Sequence, residues 1–444
     1  VGDGLAIGII VLLAVIYLLQ SASSLRINTD SYRLLSMAVS AFEGHGYLVD
    51  GNKDMFPPAY PWLIKCMLQL GVANSHTLIL LNILSLAVGL SVLYGWGKWL
   101  LSRLHALLMI GFVLLSWVLI KHVTIPLTDT VFLGLSMLAM NMLCLYCKTD
   151  GWGKWGWYAA ALLMTYASLR CRTSGVALLP VLGMSLLAHR QHCQWASMLT
   201  RHRGKLLVAG IVLGMLCLYP AEMLLRSAWI EARFNDPSNY FHYLIVGVKR
   251  DGLLLHIIHT LQFRVQEMGE ILCNAPINKM PRFAAVFYVA GGLGWLMILR
   301  GMWLLFDHRA LRPVPWYFFS YTCMLCCWPF YDTRFWLPLL PVIAILLWAS
   351  YSQIQTRFAK FKYAGMIYLL GVLLLGSIAL VFSTRISLAG KQFSEVYGNG
   401  SAKMTYRYAL DNGLPVEMDK VNMRDVRLLE IFETRAKDRH AETR

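Results

Sequence analysis

The stretch Ser75-His-Thr-Leu-Ile-Leu-Leu-Asn-Ile-Leu-Ser-Leu-Ala-Val-Gly-Leu-Ser-Val-Leu-Tyr-Gly-Trp-Gly97 contains no Asp, Glu, Lys or Arg, and Lys98 follows it directly. About 20 consecutive apolar residues cross a bilayer as a helix. The stretch therefore reads as a membrane span with a basic residue at its exit. Working outward, the same pattern recurs over roughly 4–21, 104–121, 129–147, 156–169, 174–188, 205–226, 283–304, 315–330, 335–351 and 363–383. The fold class that follows is all-α: a polytopic transmembrane helical bundle of about 11 spans.

Composition agrees. The chain has 444 residues, 57% of them hydrophobic and 14% charged, against about 25% charged in a soluble domain. Its formal charge of +16 is spread over many loops and forms no basic stripe, which argues against a nucleic-acid partner. Basic residues near anionic membrane lipids account for the excess. Cys144, Cys147, Cys217, Cys323, Cys326 and Cys327 lie inside apolar runs. Cys144-x-x-Cys147 has a metal-like spacing but no second pair or His partner, so it reads as small apolar side chains within a span. The first apolar run lacks a basic leader and reads as a first span rather than a cleavable signal.

Loop charges orient the bundle. One set of alternate loops holds Lys98 and Arg103; Lys148 and Lys154; Arg190, Arg201, Arg203 and Lys205; Arg300, Arg309 and Arg312; and Arg357, Lys360 and Lys362. The short loops of the other side hold only Lys121, Arg170, Arg172 and Arg334. Basic loops stay cytoplasmic, which gives an N-in, C-out topology. The expected organisation is a membrane module over 1–383, with long outer loops at 22–72 and 227–282, and a small polar extracytoplasmic tail at 384–444.

The first outer loop is the most informative segment. It reads Arg26-Ile-Asn-Thr-Asp30-Ser-Tyr32-Arg33, then Phe42-Glu43-Gly-His45-Gly-Tyr47, then Phe56-Pro57-Pro58-Ala-Tyr60-Pro61-Trp62. Leu35, Val39 and Phe42 share a helical face with Tyr32, the pattern of a helix lying in the membrane interface. Gly44 and Gly46 end that helix, and Pro57 and Pro58 hold the chain out of helix until about Tyr60. Asp30 fits a helix N-cap and equally a general base in a half-dry site. Glu43 and His45 are either solvated or near a substrate. Asp129, after Pro126, fits an N-cap or an acceptor-side role. Asp332 and Arg334 are placed to pair with each other. Lys249-Arg250-Asp251 reads as a solvated face.

In order along the chain, these residues resemble the GT-C superfamily of membrane glycosyltransferases, and most nearly the bacterial relatives of protein O-mannosyltransferases and the lipid A aminoarabinose transferase. The resemblance rests on the span that ends in Asp30, the interfacial helix with Gly44-His-Gly-Tyr47, and the Pro57-Pro58-Ala-Tyr60-Pro61 return. It continues through Pro126-Leu-Thr-Asp129-Thr-Val-Phe132, Leu169-Arg170-Cys-Arg172-Thr-Ser-Gly175 and Arg334-Phe-Trp-Leu337-Pro338-Leu-Leu-Pro341. It implies transfer of a sugar from a polyprenyl-phosphate-linked donor to a glycan, lipid or protein acceptor, outside the cytoplasmic leaflet of a bacterial inner membrane. By the same analogy Asp30 is the catalytic base, and attack opposite the leaving phosphate inverts the anomeric centre. Arg170, Arg172 and Arg334 are the donor-phosphate candidates, since Arg forks bind phosphate bidentately; each also fits a side chain that snorkels to headgroups. Asp129, Glu43, His45, Tyr60 and Asp332 are candidates for acceptor binding or support of the site, and His122 is a weaker one. Ser31 stands where the family often has a second acid, so no metal and no cofactor are expected. The competing class is a transporter or lipid-linked sugar flippase. It calls for ionisable residues near the midplane, whereas here they gather at one face.

Overall fold

The computed structural model describes residues 2–20, 27–190, 240–358 and 361–389, together with a few isolated positions. The expected span at 205–226, Cys217, the start of the second long loop and nearly all of the tail lie outside the described residues.

Helix α1 (Gly2–Leu19) is followed by α2 (Thr29–Phe42), as the apolar pattern anticipates. Its N-cap is Asn28 rather than Asp30. Asn28 accepts the Ser31 N–H while Ser31 Oγ accepts the Asn28 N–H, a reciprocal capping box. The cap reading of Asp30 is thus corrected: Asp30 stands in the first turn, with its carboxylate unused by the cap. The buried stripe is Leu34, Leu35, Ala38 and Val39, while Phe42 is exposed. Gly44 and Gly46, at φ +90 and +86, turn the chain out of the helix. A short antiparallel ladder, β1 (Leu48–Val49) with β2 (Asn52–Lys53), then forms around Asp50-Gly51. Arg33 holds this excursion down through Asp54 at 2.6 Å. Helix α3 (Ala59–Gln69) starts directly after Pro58.

Next come α4 (Ser75–Leu100), α5 (Arg103–Leu114), α6 (Trp117–His122), α7 (Thr128–Lys148), α8 (Lys154–Cys171), a 3-10 turn (Thr173–Ala177) and α9 (Leu178–Arg190). The segment expected as one span at 104–121 is two helices, broken at Leu115 and Ser116. Inside a bundle, a break survives only if other groups satisfy the freed backbone. One asparagine serves the gap between α6 and α7 and a second serves the break at Leu115–Ser116. Asn82, fully buried in α4, donates to Val123 O and Ile125 O, both at 2.9 Å. Asn274 accepts the Trp117 N–H at 2.7 Å and donates to Leu115 O at 2.9 Å.

The second long loop contributes α10 (Tyr240–Asp251) and α11 (Leu253–Cys273). Helix α12 (Ala284–Asp307) and α13 (Pro313–Cys326) follow; then a 3-10 turn (Thr333–Leu339) leads into α14 (Leu340–Arg357), and α15 (Phe361–Ala389) closes the described chain. Gly291 of α12 lies against the Val265 backbone, and Gly269 of α11 against that of Phe287, so a Cβ at either would collide with a carbonyl. Small residues therefore set how closely α11 seats on α12.

Five helices among the described residues are long and apolar enough to cross a membrane: Ser75–Leu100, Thr128–Lys148, Pro281–Asp307, Thr333–Arg357 and Gly365–Arg385. Helix α14 is buried from Leu340 to Ser350, and this stretch forms the centre of the core. By contrast α12 exposes Val286, Val289, Leu293, Leu296 and Leu299, and α15 exposes Ile367, Leu370, Leu374, Ile378 and Val381. Continuous apolar faces of this kind suit lipid, not water. The chain is a helical integral membrane protein. Its first and last described helices meet at Gln20, which is buried and accepts a hydrogen bond from Ser383 at 3.3 Å.

Candidate functional site

Four separate segments converge at one end of the bundle. Helix α2 brings Asp30, the start of α7 brings Asp129, the end of α8 brings Arg172, and the turn before α14 brings Asp332 and Arg334. The opposite end of α7 carries Lys148. There Arg309 donates to Cys147 O at 2.9 Å and pairs with Asp150. The acid–arginine cluster and this basic end are therefore separated by the length of a span.

Arg334 Nη2 lies 2.6 Å from Asp30 Oδ2, and its Nε lies 3.5 Å from Asp332 Oδ2. Arg172 pairs with Asp129 through a single close Nη1–Oδ1 contact. The two guanidiniums share an aromatic neighbour: Phe335 has Arg172 Cζ at 5.7 Å and Arg334 Cζ at 5.5 Å from its ring centroid. These distances fall within cation–π range. The Arg334 side chain is 11% exposed and that of Asp30 29%, so solvent reaches the carboxylate more readily than the cation. In the second pair Arg172 is similarly enclosed, at 14%, and Asp129 is the most enclosed of the four, at 3%. Asp129 is not a cap: Leu127 occupies the N-cap of α7, and Asp129 sits in the first turn, where the positive helix end favours its charge.

The other candidate residues divide. Tyr60 is fully buried at the start of α3, with Cys171 and Asp129 nearby, and its hydroxyl has no hydrogen-bond partner among the described residues. Arg170 is exposed on α8 and forms no ion pair among the described residues; one residue of helix rotation and the turn at Arg172 separate it from the cluster. Glu43 and His45 are exposed at the C-terminal end of α2, outside the ion-paired group. His122 is buried, and its Nδ1 faces Val118 O at 2.8 Å. Arg250 and Asp251 pair with each other on the surface. Cys144 and Cys147 are buried free thiols. No group of three or more metal-ligating side chains occurs among the described residues.

The geometry also contains residues that the sequence reading passed over. Arg264, Glu267 and Glu270 follow at three-residue spacing on one face of α11, and all three are buried. Arg264 Nη2 donates to Phe330 O at 2.7 Å, and its Nε lies 3.3 Å from Glu267 Oε2. Glu267 accepts the Asp332 N–H at 2.9 Å and the Trp336 indole N–H at 2.7 Å. Glu270 accepts the Thr333 hydroxyl and, at 2.6 Å, the Ile277 N–H. Burial pushes the Glu267 carboxyl up to about 7, against the Arg264 charge and the two N–H groups that favour its ionised form. The signal available in the sequence was the spacing of three charges along an otherwise apolar helical face.

A cavity of about 1080 Å³ lies elsewhere, between α5, α12, α14 and α15. Its wall is mostly apolar, with His105, Arg300 and Gln355 among its residues, and shares no residue with the ion-paired cluster.

No protein-family model matches the chain, and no characterised protein matches it by sequence. Among solved structures, it is similar to ArnT from Cupriavidus metallidurans bound to undecaprenyl phosphate: 14% identity, TM-score 0.49, covering 96% of this chain and 77% of that one. Against the apo state of the same protein the values are 13%, 0.47, 97% and 76%.

Proposed function

We propose that this protein is an inverting glycosyltransferase that moves a sugar from a polyprenyl-phosphate carrier to an acceptor hydroxyl on the extracytoplasmic side of a bacterial inner membrane. The observation that carries this reading is the 2.6 Å pairing of Asp30 with Arg334 across 304 residues of sequence, with Arg172 against the same Phe335 ring as Arg334. It joins the family-like motifs at 30, 129, 172 and 334, quoted above, into one polar site on a lipid-facing bundle.

The chemistry follows from the side chains. Arg334 and Arg172 hold the donor phosphate and stabilise the charge that grows on it as the sugar departs. The Asp30 carboxylate takes the proton of the acceptor hydroxyl as its oxygen bonds to the anomeric carbon. The bond from that carbon to the phosphate oxygen breaks on the opposite face, and the electron pair leaves with the polyprenyl phosphate. Arg334 is engaged by Asp30, so a phosphate arriving at Arg334 competes with the base and frees it for the acceptor. Asp129 keeps Arg172 in place. Arg170, which lies outside this group, is assigned no phosphate contact.

The test is transfer from a panel of radiolabelled polyprenyl-phosphate sugars to envelope acceptors in membranes carrying Asp30→Asn. Loss of a positioned base lowers the rate on the order of 10²–10⁴-fold. Undiminished transfer by a correctly folded Asp30→Asn protein would sink the assignment.

A further inference from the structure

We propose that the Arg264–Glu267–Glu270 face of α11 is a positioning device that fixes the 330–336 segment, and through it the donor-phosphate grip of Arg334. The inference rests on the reading of Arg334 given above.

Three facts carry it. First, the three side chains hold the segment at successive points: Arg264 takes the Phe330 carbonyl, Glu267 the Asp332 N–H and the Trp336 indole, and Glu270 the Thr333 hydroxyl. Arg334 lies between the points so held. Its own backbone N–H donates to Asp332 Oδ1 at 2.9 Å, which passes the constraint on to the guanidinium's root. Second, all three are buried, Arg264 and Glu267 completely. Buried ion pairs are rarely better for stability than apolar packing of the same shape, so here their use is assigned to fixing one geometry of the segment. Third, α11 is itself seated on α12 by the close Gly269 and Gly291 contacts, so the device has a rigid base.

The arrangement makes the grip sensitive to protonation of Glu267. The charged and titratable groups that face it are Arg264 and Glu270 from its own helix, Tyr331 and Asp332 from the segment it holds, and Cys326 from α13. Ionised, the carboxylate accepts from both Asp332 and Trp336 while facing Arg264. Protonated, it loses the charge that draws these three donors together. Glu267 is a positioning residue: it touches neither phosphate nor sugar.

The experiment measures binding of a polyprenyl phosphate to the full chain in nanodiscs from pH 5.5 to 8.5, for wild type, Glu267→Gln, Trp336→Phe and Arg334→Gln. Phosphate protonation is common to all four and cancels in affinity ratios. The wild-type to Glu267→Gln ratio is expected near one at pH 5.5, rising on the order of 10–100-fold by pH 8.5, the effect of roughly an ångström of misplacement. Trp336→Phe removes one N–H that favours the ionised carboxylate, so its affinity is lost at a higher pH than in wild type. A ratio that does not change with pH, or coincident curves for wild type and Trp336→Phe, overturns the positioning role; the second comparison decides if Glu267→Gln does not fold. If instead Arg334→Gln binds as wild type does, the phosphate reading of Arg334 itself has failed.

Discussion

Asn82→Leu replaces a fully buried amide with a side chain of similar volume and removes both of its hydrogen bonds. The wild-type Nδ2 group donates to Val123 O and Ile125 O, each at 2.9 Å. Without it, two carbonyls in the broken stretch between α6 and α7 face no donor. A buried acceptor left unsatisfied costs about 1–3 kcal/mol, so the pair costs about 2–6 kcal/mol. One quantity runs the other way. Asn82 Oδ1 has no partner among the described residues, and its removal returns about 1–3 kcal/mol. The net expectation is destabilisation of about 1–3 kcal/mol. Reversible unfolding in mixed micelles by titration with a denaturing detergent measures it. Ser91→Ala, on an exposed part of the same helix, serves as control and is expected within about 0.5 kcal/mol of wild type. If Asn82→Leu unfolds together with the control, the amide does not hold the gap between α6 and α7.

Arg172→Ala is expected to lower transfer at least on the order of 10²-fold, as for loss of one group that stabilises developing charge, whereas Arg170→Ala is expected to leave it within about twofold; equal losses in the two variants would reject the division made by the turn at Arg172. Wild-type turnover is expected to fall as pH drops through about 7, because Glu267 then gains a proton and its hold on Asp332 and Trp336 weakens; a rate that is flat between pH 6 and 8 contradicts this sign. Gly291→Val places side-chain atoms against the Val265 carbonyl, and the resulting overpacking is expected to cost about 1–3 kcal/mol in the same unfolding assay, with an unchanged midpoint as the refuting result.

Much of the bundle was legible because a membrane span needs only length and apolarity, and those are local properties. The helix at 29–42 is equally local, though its cap is Asn28 and not Asp30. Asn28 and Asp30 are both good caps by type, and only the reciprocal bond with Ser31 selects Asn28. The small ladder near Asp50 was passed over although Asp-Gly is a strong hairpin signal. The break at Leu115 had no such signal, since neither glycine nor proline marks it. Its support comes from Asn274, 159 residues away from Leu115. Asp30, Asp129, Arg172, Asp332 and Arg334 were each picked out as charges at span ends. That Arg172, not Arg170, joins the group depends on where α8 unwinds, which composition does not specify. Arg264, Glu267 and Glu270 stayed hidden for a different reason: charges along an amphipathic loop helix look solvated until the 330–336 segment is laid over them.

The pairing of Asp30 with Arg334 also bears on how the protein is made. A contact across 304 residues closes only after the intervening helices have entered the membrane and packed, because long-range contacts form late and their loop-closure entropy must first be overcome. During synthesis the N-terminal helices emerge with Asp30 in place but without the arginine that meets it. A half-inserted chain thus lacks the assembled pair, and on the reading proposed above it holds the base without the arginine that would grip a donor phosphate.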